Sequence, residues 1–239
     1  MSIRIILILL FIIQILISVG LTSIFSFQNS QIAVNDVALQ LRNELTSHIN
    51  DSLRSYLRIP FLVNKINVDS FKQKRINLKD FNGLEKYFYN QLQEFETVSY
   101  IAFGDNKGNF IGVERTHDGS FHIEVRDELT GNNKYTYSTD KNGNRGKILN
   151  IRKNYDARKR PWYIAAENAK RPVWSQIYTF FTKPPRLGLT AVNPIYDEKG
   201  TLIGVLDCDL TLEALSVFLS RLIKIAISTG KIIQKPCWY

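Results

Sequence analysis

Residues 100–126 read YIAFGDNKGNFIGVERTHDGSFHIEVR, and this stretch decides the fold. Residues 100–103, 110–115 and 121–126 have the two-residue period of strands, in which alternate side chains face opposite sides. Between them lie DNKGN (105–109) and HDGS (117–120), which supply the positive-φ positions that tight hairpins need. Further turn signals fall at 131–133, 140–143 and 197–200, with strand-like runs near 135–138, 174–182, 187–195 and 202–210. A short helix is expected over 161–169, because Pro161 suits the first helical turn, where its missing N–H would be unpaired anyway. A last helix is expected over 212–227, amphipathic because Arg221 and Lys224 interrupt an otherwise apolar run. Hairpin-linked strands flanked by helices indicate an α+β domain built on an antiparallel sheet.

Working outward to the N-terminus, residues 5–27 form a run of 23 without a charge, broken by Gln14 and a few small polar residues. That length spans a bilayer as a helix. A cleaved signal peptide is the competing reading, but its apolar core is usually about 7–15 residues and ends in a small-residue site, which the segment 28–31 lacks. Arg4 precedes the run and no Lys or Arg follows until Arg42, which puts the first residues in the cytoplasm and the rest outside. From about 31 to 62, Val34, Ala38, Leu41, Leu45, Ile49, Leu53 and Tyr56 recur at steps of three and four, an apolar stripe on one long helix. The stripe serves either packing on its own domain or a homodimer, pairing with the same helix of a second copy. Pro60 disfavours helical geometry at Ile59 and marks an expected kink or end. The expected organisation is an anchor over 1–27, an extracytoplasmic helix over 28–62 and a folded domain over 63–226.

Composition removes several classes of function. The net charge of +9 comes from Lys and Arg interspersed with acids, with no run of five basic residues, which points to a mixed solvated surface and no nucleic-acid partner. Cys208 and Cys237 are too few for a disulfide framework and lack metal-ligand spacing. His48, His117 and His122 form no metal motif and are expected at the surface, so no metal and no cofactor is expected. There is no GxSxG elbow and no phosphate loop, and the chain is not expected to be an enzyme.

The chemistry concentrates in residues 154–163, NYDARKRPWY, with three aromatics and three basic residues in ten positions. Arg160 offers a planar fork of donors that fits a carboxylate, while Trp162 and Tyr163 provide apolar walls with an N–H and an O–H. Downstream, Asp207 and Asp209 end an apolar strand and share one of its faces. A buried carboxylate there needs a cap, an Arg or a ligand ammonium. Each residue also has a structural reading: Arg160 paired with Asp209 or Asp156, Trp162 in the core of the short helix, Asp209 or Thr211 capping the last helix, and Asp156 and Arg158 solvated.

YDARKRPWYIAA (155–166), followed by Trp174, Tyr178 and GVLDCDL (204–210), resembles the ligand-binding half of double Cache sensor domains, a PAS-like family of bacterial transmembrane sensors. The resemblance implies a small-molecule ligand held at the membrane exterior, most often an amino acid or related carboxylate. It implies that Arg160, Trp162 and Tyr163 hold the ligand carboxylate and that Tyr155 and Asp209 hold its ammonium, with Tyr178 beside them. Where some amino-acid binders carry a further acid two residues after Tyr178, this chain has Phe180. The family continues into a second subdomain, a second membrane helix and an output module. Residues 227–233 read as the opening strand of that subdomain and 234–239 do not continue it, so a truncated or split gene product is expected, with no output segment. The rival is a remnant or membrane interaction protein whose pocket is vestigial.

Overall fold

The structure is a computed structural model that describes residues 3–182 and 184–233. The chain divides into two compact units, 1–52 and 53–239. Helix α1 (Ile3–Lys72) makes up the described part of the first unit and enters the second. In the first unit its apolar side chains, among them Leu9, Phe11, Leu16 and Phe25, are exposed around the helix. All backbone groups of such a segment are satisfied internally, and it is long and apolar enough to cross a membrane.

The helix does not stop near 62 as expected but runs through Pro60 to Lys72. An interior proline costs a helix about 3 kcal/mol. Burial offsets it: Tyr56, Pro60 and Val63 are buried, and Asn64 donates from Nδ2 to the carbonyl of Ala191 at 2.7 Å. Helix α2 (Phe81–Glu94), in a segment left unassigned by sequence, starts at Asp80, whose carboxylate accepts from the N–H of Gly83 at 3.0 Å. Leu84, Phe88 and Leu92, four residues apart, form its buried stripe.

The second unit is built on one sheet, with strands β1 (Tyr100–Asp105), β2 (Phe110–Arg115), β3 (Phe121–Arg126), β4 (Lys134–Thr139), β5 (Arg145–Arg152), β6 (Val173–Trp174), β7 (Tyr178–Thr179), β8 (Leu187–Tyr196) and β9 (Leu202–Thr211). Their order is β5-β4-β3-β2-β1-β9-β8-β6, with β7 also on β8, and every pair is antiparallel. The first two turns bring Gly108 and Gly119 to φ of 93° and 81°, the left-handed region that hairpins require. The strand expected over 174–182 is two short ones, because Ser175 turns its hydroxyl to the carbonyl of Gln176 and accepts from the N–H of Thr190 between them. Strand β5, not expected from sequence, pairs with β4 through an irregular register.

Period-two alternation gives the sheet two different faces. One carries Ile101, Phe103, Ile111, Val113, Ile123, Val125, Leu206 and Cys208 against α2 and Val63, and this is the main core. The other carries Ala102, Phe110 and Val205 against Tyr155, Ala157 and helix α3 (Pro161–Ala169). The site lies on this second face.

Helix α4 (Leu212–Ile233) follows β9 directly, with the hydroxyl of Thr211 accepting from the N–H of Ala214 at 3.2 Å as its cap. Phe218 stacks on Tyr56 of α1 at 4.1 Å. The strand expected over 227–233 is instead the last turns of this helix. A strand needs a partner ladder for its N–H and C=O groups, whereas the helix supplies its own. Residues 234–239 lie outside the described residues.

Candidate ligand-binding site

The second sheet face is unusually polar for a buried surface. Asp207 and Asp209 stand on β9 at 2% and 6% exposure, and β2 and β3 contribute the buried Glu114 and Glu124. Tyr100 lies opposite Asp209, and Ala102 opposite Asp207, across the β1–β9 ladder. The ring of Tyr100 lies over Gly112, where an added Cβ would sit 2.7 Å from its Cζ and 2.9 Å from the Cβ of Ala102. The glycine leaves room there for Tyr100 to reach Glu124, to which its hydroxyl donates at 2.6 Å.

Glu124 is fully committed. Lys134 Nζ on β4 donates to it at 2.5 Å and Thr136 at 3.1 Å. Burial works to raise its pKa, but the charge of Lys134 and these three hydrogen bonds hold it below the ordinary value. Lys134 also lies 4.9 Å from the ring centroid of Tyr155 and 5.8 Å from that of Phe110. Glu114 accepts from Arg186 at 2.7 Å, yet burial and the charge of Glu124 push it up to about 7.

Asp209 accepts from Thr190 Oγ1 at 2.5 Å, and Thr190 lies 2.9 Å from the hydroxyl of Tyr178, which completes a Tyr178–Thr190–Asp209 chain. Asp207 is less well satisfied: its Oδ1 is buried without a hydrogen-bond partner. Burial, followed by the charge of Asp209, drives the Asp207 carboxyl well above its ordinary value, and burial raises Asp209 likewise. Neither forms an ion pair with Arg160.

The mouth is made by the loop before α3 and by the segment after β6. Arg160 caps α3 in an extended conformation, donating to the carbonyl of Thr179 at 3.1 Å. Its guanidinium lies 3.5 Å from the ring centroid of Phe181, and that of Arg152 lies 3.9 Å from the same ring. Phe181 thus has two cations on it at the rim. Below it, Phe110, Tyr155, Trp162, Tyr178 and Phe180 make an aromatic wall around a cavity that Asp207, Asp209, Glu124 and Lys134 line from the sheet.

Of the six residues expected from sequence, Tyr155, Arg160, Trp162, Tyr178 and Asp209 line this one cavity. Tyr163 does not. Successive helical residues point about 100° apart, so with Trp162 turned into the cavity Tyr163 is turned away, buried at 2% exposure. Burial, then Glu167 and Asp105, raise its hydroxyl to about 12. The structural pairings left open for Arg160 do not form, since Asp156 pairs with Arg158 at 2.8 Å. Tyr100, Glu124 and Lys134 complete the site without having been singled out by sequence. Among the described residues there is no group of three His, Cys, Asp or Glu side chains placed to hold a metal ion.

The family model for the first PDC sensor domain of methyl-accepting chemotaxis protein-like proteins matches residues 84–217, more than half of the chain. Among solved structures, the chain is similar to the ligand-binding domain of the Pseudomonas aeruginosa amino acid chemoreceptor PctB in complex with L-glutamine, at 18% identity over 74% of this chain and 57% of that one, TM-score 0.46. It is also similar to the ligand-binding domain of the Campylobacter jejuni chemoreceptor Tlp3 in complex with L-valine, at 15% identity over 75% of this chain and 63% of that one, TM-score 0.49. The chain therefore spans about three fifths of the length of these domains. No curated protein matches the sequence.

Proposed function

The chain belongs to the family of first PDC sensor domains of methyl-accepting chemotaxis protein-like proteins, and from that premise we propose that it is the ligand-binding sensor module of a transmembrane receptor. Its ligand is an amino acid or related small carboxylate. The observation that carries this is the charge layout of the cavity, with the Arg160 guanidinium at the rim and the Asp207 and Asp209 carboxylates at the floor of one aromatic-walled space. An α-amino acid presents the complementary pair of charges. Its carboxylate fits the planar fork of Arg160, its ammonium supplies donors to Asp209 and to the unpartnered oxygen of Asp207, and its side chain meets Phe180 and Phe181. The role is binding without turnover.

The apolar part of α1 serves as a single membrane span, with the first residues in the cytoplasm and the sensor domain outside. Arg4 before the span and the absence of Lys or Arg until Arg42 support that orientation. A homodimer through the stripe on α1 would couple two copies, and a ligand shifts such an assembly only by binding one arrangement better than another.

Thermal-shift screening of the full chain in detergent micelles against amino acids, small carboxylates and amines tests the ligand class. A ligand at about a hundred times its Kd stabilises by about 2.7 kcal/mol, a rise of roughly 5–10 °C for a domain of this size. Zwitterionic amino acids raise Tm and their N-acetylated forms do not. A folded chain that responds to no amino acid refutes the assignment.

A further inference from the structure

We infer that Asp207 and Asp209 share one proton in the free pocket and exchange it for the ammonium of the ligand, which makes binding pH-dependent. The inference rests on the ligand class proposed above and adds the proton that the ammonium displaces.

The geometry is a mismatch between buried charges. Four carboxylates, Glu114 of β2, Glu124 of β3 and Asp207 and Asp209 of β9, are buried on one sheet face, with β1 between β2 and β9. Among the described residues Lys134 of β4 is paired with Glu124 and Arg186 before β8 with Glu114, while Arg160 is engaged by the Thr179 carbonyl and, together with Arg152, by the Phe181 ring. The other groups that face the pair are neutral hydroxyls, Tyr100 of β1, Tyr155 before α3, Tyr178 of β7 and Thr190 of β8, while α3 contributes the uncharged Trp162.

Among the described residues Glu114 and Glu124 are each paired with a cation, so the charge left uncompensated in this water-poor site falls on Asp207 and Asp209. Asp209 has only a hydroxyl donor and Asp207 an unpartnered oxygen. Buried charges are neutralised or paired, so a proton is the simplest occupant until a cation arrives. Burial acts in the same direction on both carboxyls.

The exchange is balanced without any covalent change in the ligand. The ammonium enters as R–NH3+ and keeps its three protons, which it donates to the two carboxylates and a neighbouring oxygen. The proton that the pair held leaves to solvent. Because the free state carries the extra proton, acidification favours the free state, and affinity falls by about tenfold for each pH unit below the range in which the pair protonates.

The test is calorimetric titration of the full chain in micelles with each of the twenty standard amino acids, in two buffers of equal pH and different ionisation enthalpy. The expected result is a heat that differs between buffers by the ionisation of about one proton per ligand bound, and a buffer difference lost in Asp207→Asn together with weaker binding. Equal heats in both buffers, at every pH at which binding is measurable, overturn the exchange and leave the ligand class standing. No heat with any amino acid overturns the ligand class and the exchange with it.

A second measurement does not depend on the variants folding. Infrared absorption of the ligand-free chain at neutral pH should contain a protonated-carboxyl band that shifts with isotope-labelled aspartate, which separates it from Glu114. A spectrum with no aspartate contribution to that band also overturns the exchange.

Discussion

Replacing Lys134 by Met removes the only cation bonded to Glu124 among the described residues while keeping the volume of its stem. Glu124 is 5% exposed and Lys134 3%, so water does not replace the lost charge. Tyr100 and Thr136 still donate to the carboxylate, but breaking a buried pair by removing one partner costs about 3–5 kcal/mol. For a domain of this size that lowers Tm by roughly 6–20 °C. The pH dependence identifies the cause. In the wild type, Lys134 and the hydrogen bonds hold Glu124 below its ordinary pKa, so its contribution is present above the unfolded pKa of about 4.3 and is lost as pH falls through the lower folded value. In Lys134→Met the folded carboxyl rises above 4.3, so the penalty is full at neutral pH and shrinks on acidification as Glu124 takes a proton. Thermal melts of both proteins, followed by tryptophan fluorescence from neutral pH down to about pH 4, read the difference. Adding Glu124→Gln to Lys134→Met should recover much of the loss. A neutral-pH difference under about 1 kcal/mol, or one that does not change with pH, would refute the claim that this pair is desolvated and holds the sheet face together.

Phe88→Ala opens the core between α2 and the sheet and should cost about 3–5 kcal/mol, with little dependence on pH, which makes it the control for the Lys134 variant in the same melts. Gly112→Ala places a Cβ against the Tyr100 ring and the Ala102 methyl; overpacking of about 1–3 kcal/mol is expected, with weaker ligand binding in calorimetry because Tyr100 moves off Glu124. Thr190→Val breaks the Tyr178–Thr190–Asp209 chain at its centre and leaves two buried oxygens unsatisfied, a loss of roughly 1–3 kcal/mol in chemical denaturation.

The hairpins of β1 to β3 were legible because alternation and glycines at positive φ are local signals. The same holds for α3, where proline opens the helix. Helix α2 was missed because Gly83, Asn82 and Asn90 dilute the stripe of Leu84, Phe88, Tyr89 and Leu92. Strand β5 was missed because Ile148, Leu149 and Ile151 are half exposed on an edge, so burial imposes no alternation on it. Pro60 does not end the helix because its local cost is outweighed by tertiary burial. In the site, Tyr155, Arg160, Trp162, Tyr178 and Asp209 could be grouped from chain spacing and a family resemblance. Glu124 and Lys134 could not, since a charged residue at an alternate strand position reads as the solvent face. What buries them is the loop before α3 folding over the second sheet face, a long-range event with no local trace. Tyr163 does not line the cavity with Trp162, since neighbours in sequence do not share a helix face.

The central claim is that Arg160 and the aspartates of β9 hold the two charged ends of one ligand. Calorimetry on the full chain, wild type beside Arg160→Ala, with the amino acid that most raises Tm, tests it most directly. Loss of a charge-assisted bidentate contact of about 3 kcal/mol predicts an affinity drop of roughly a hundredfold, with the melting temperature of the free protein little changed because Arg160 is only partly buried. An affinity equal to that of the wild type in a folded Arg160→Ala protein would contradict the claim.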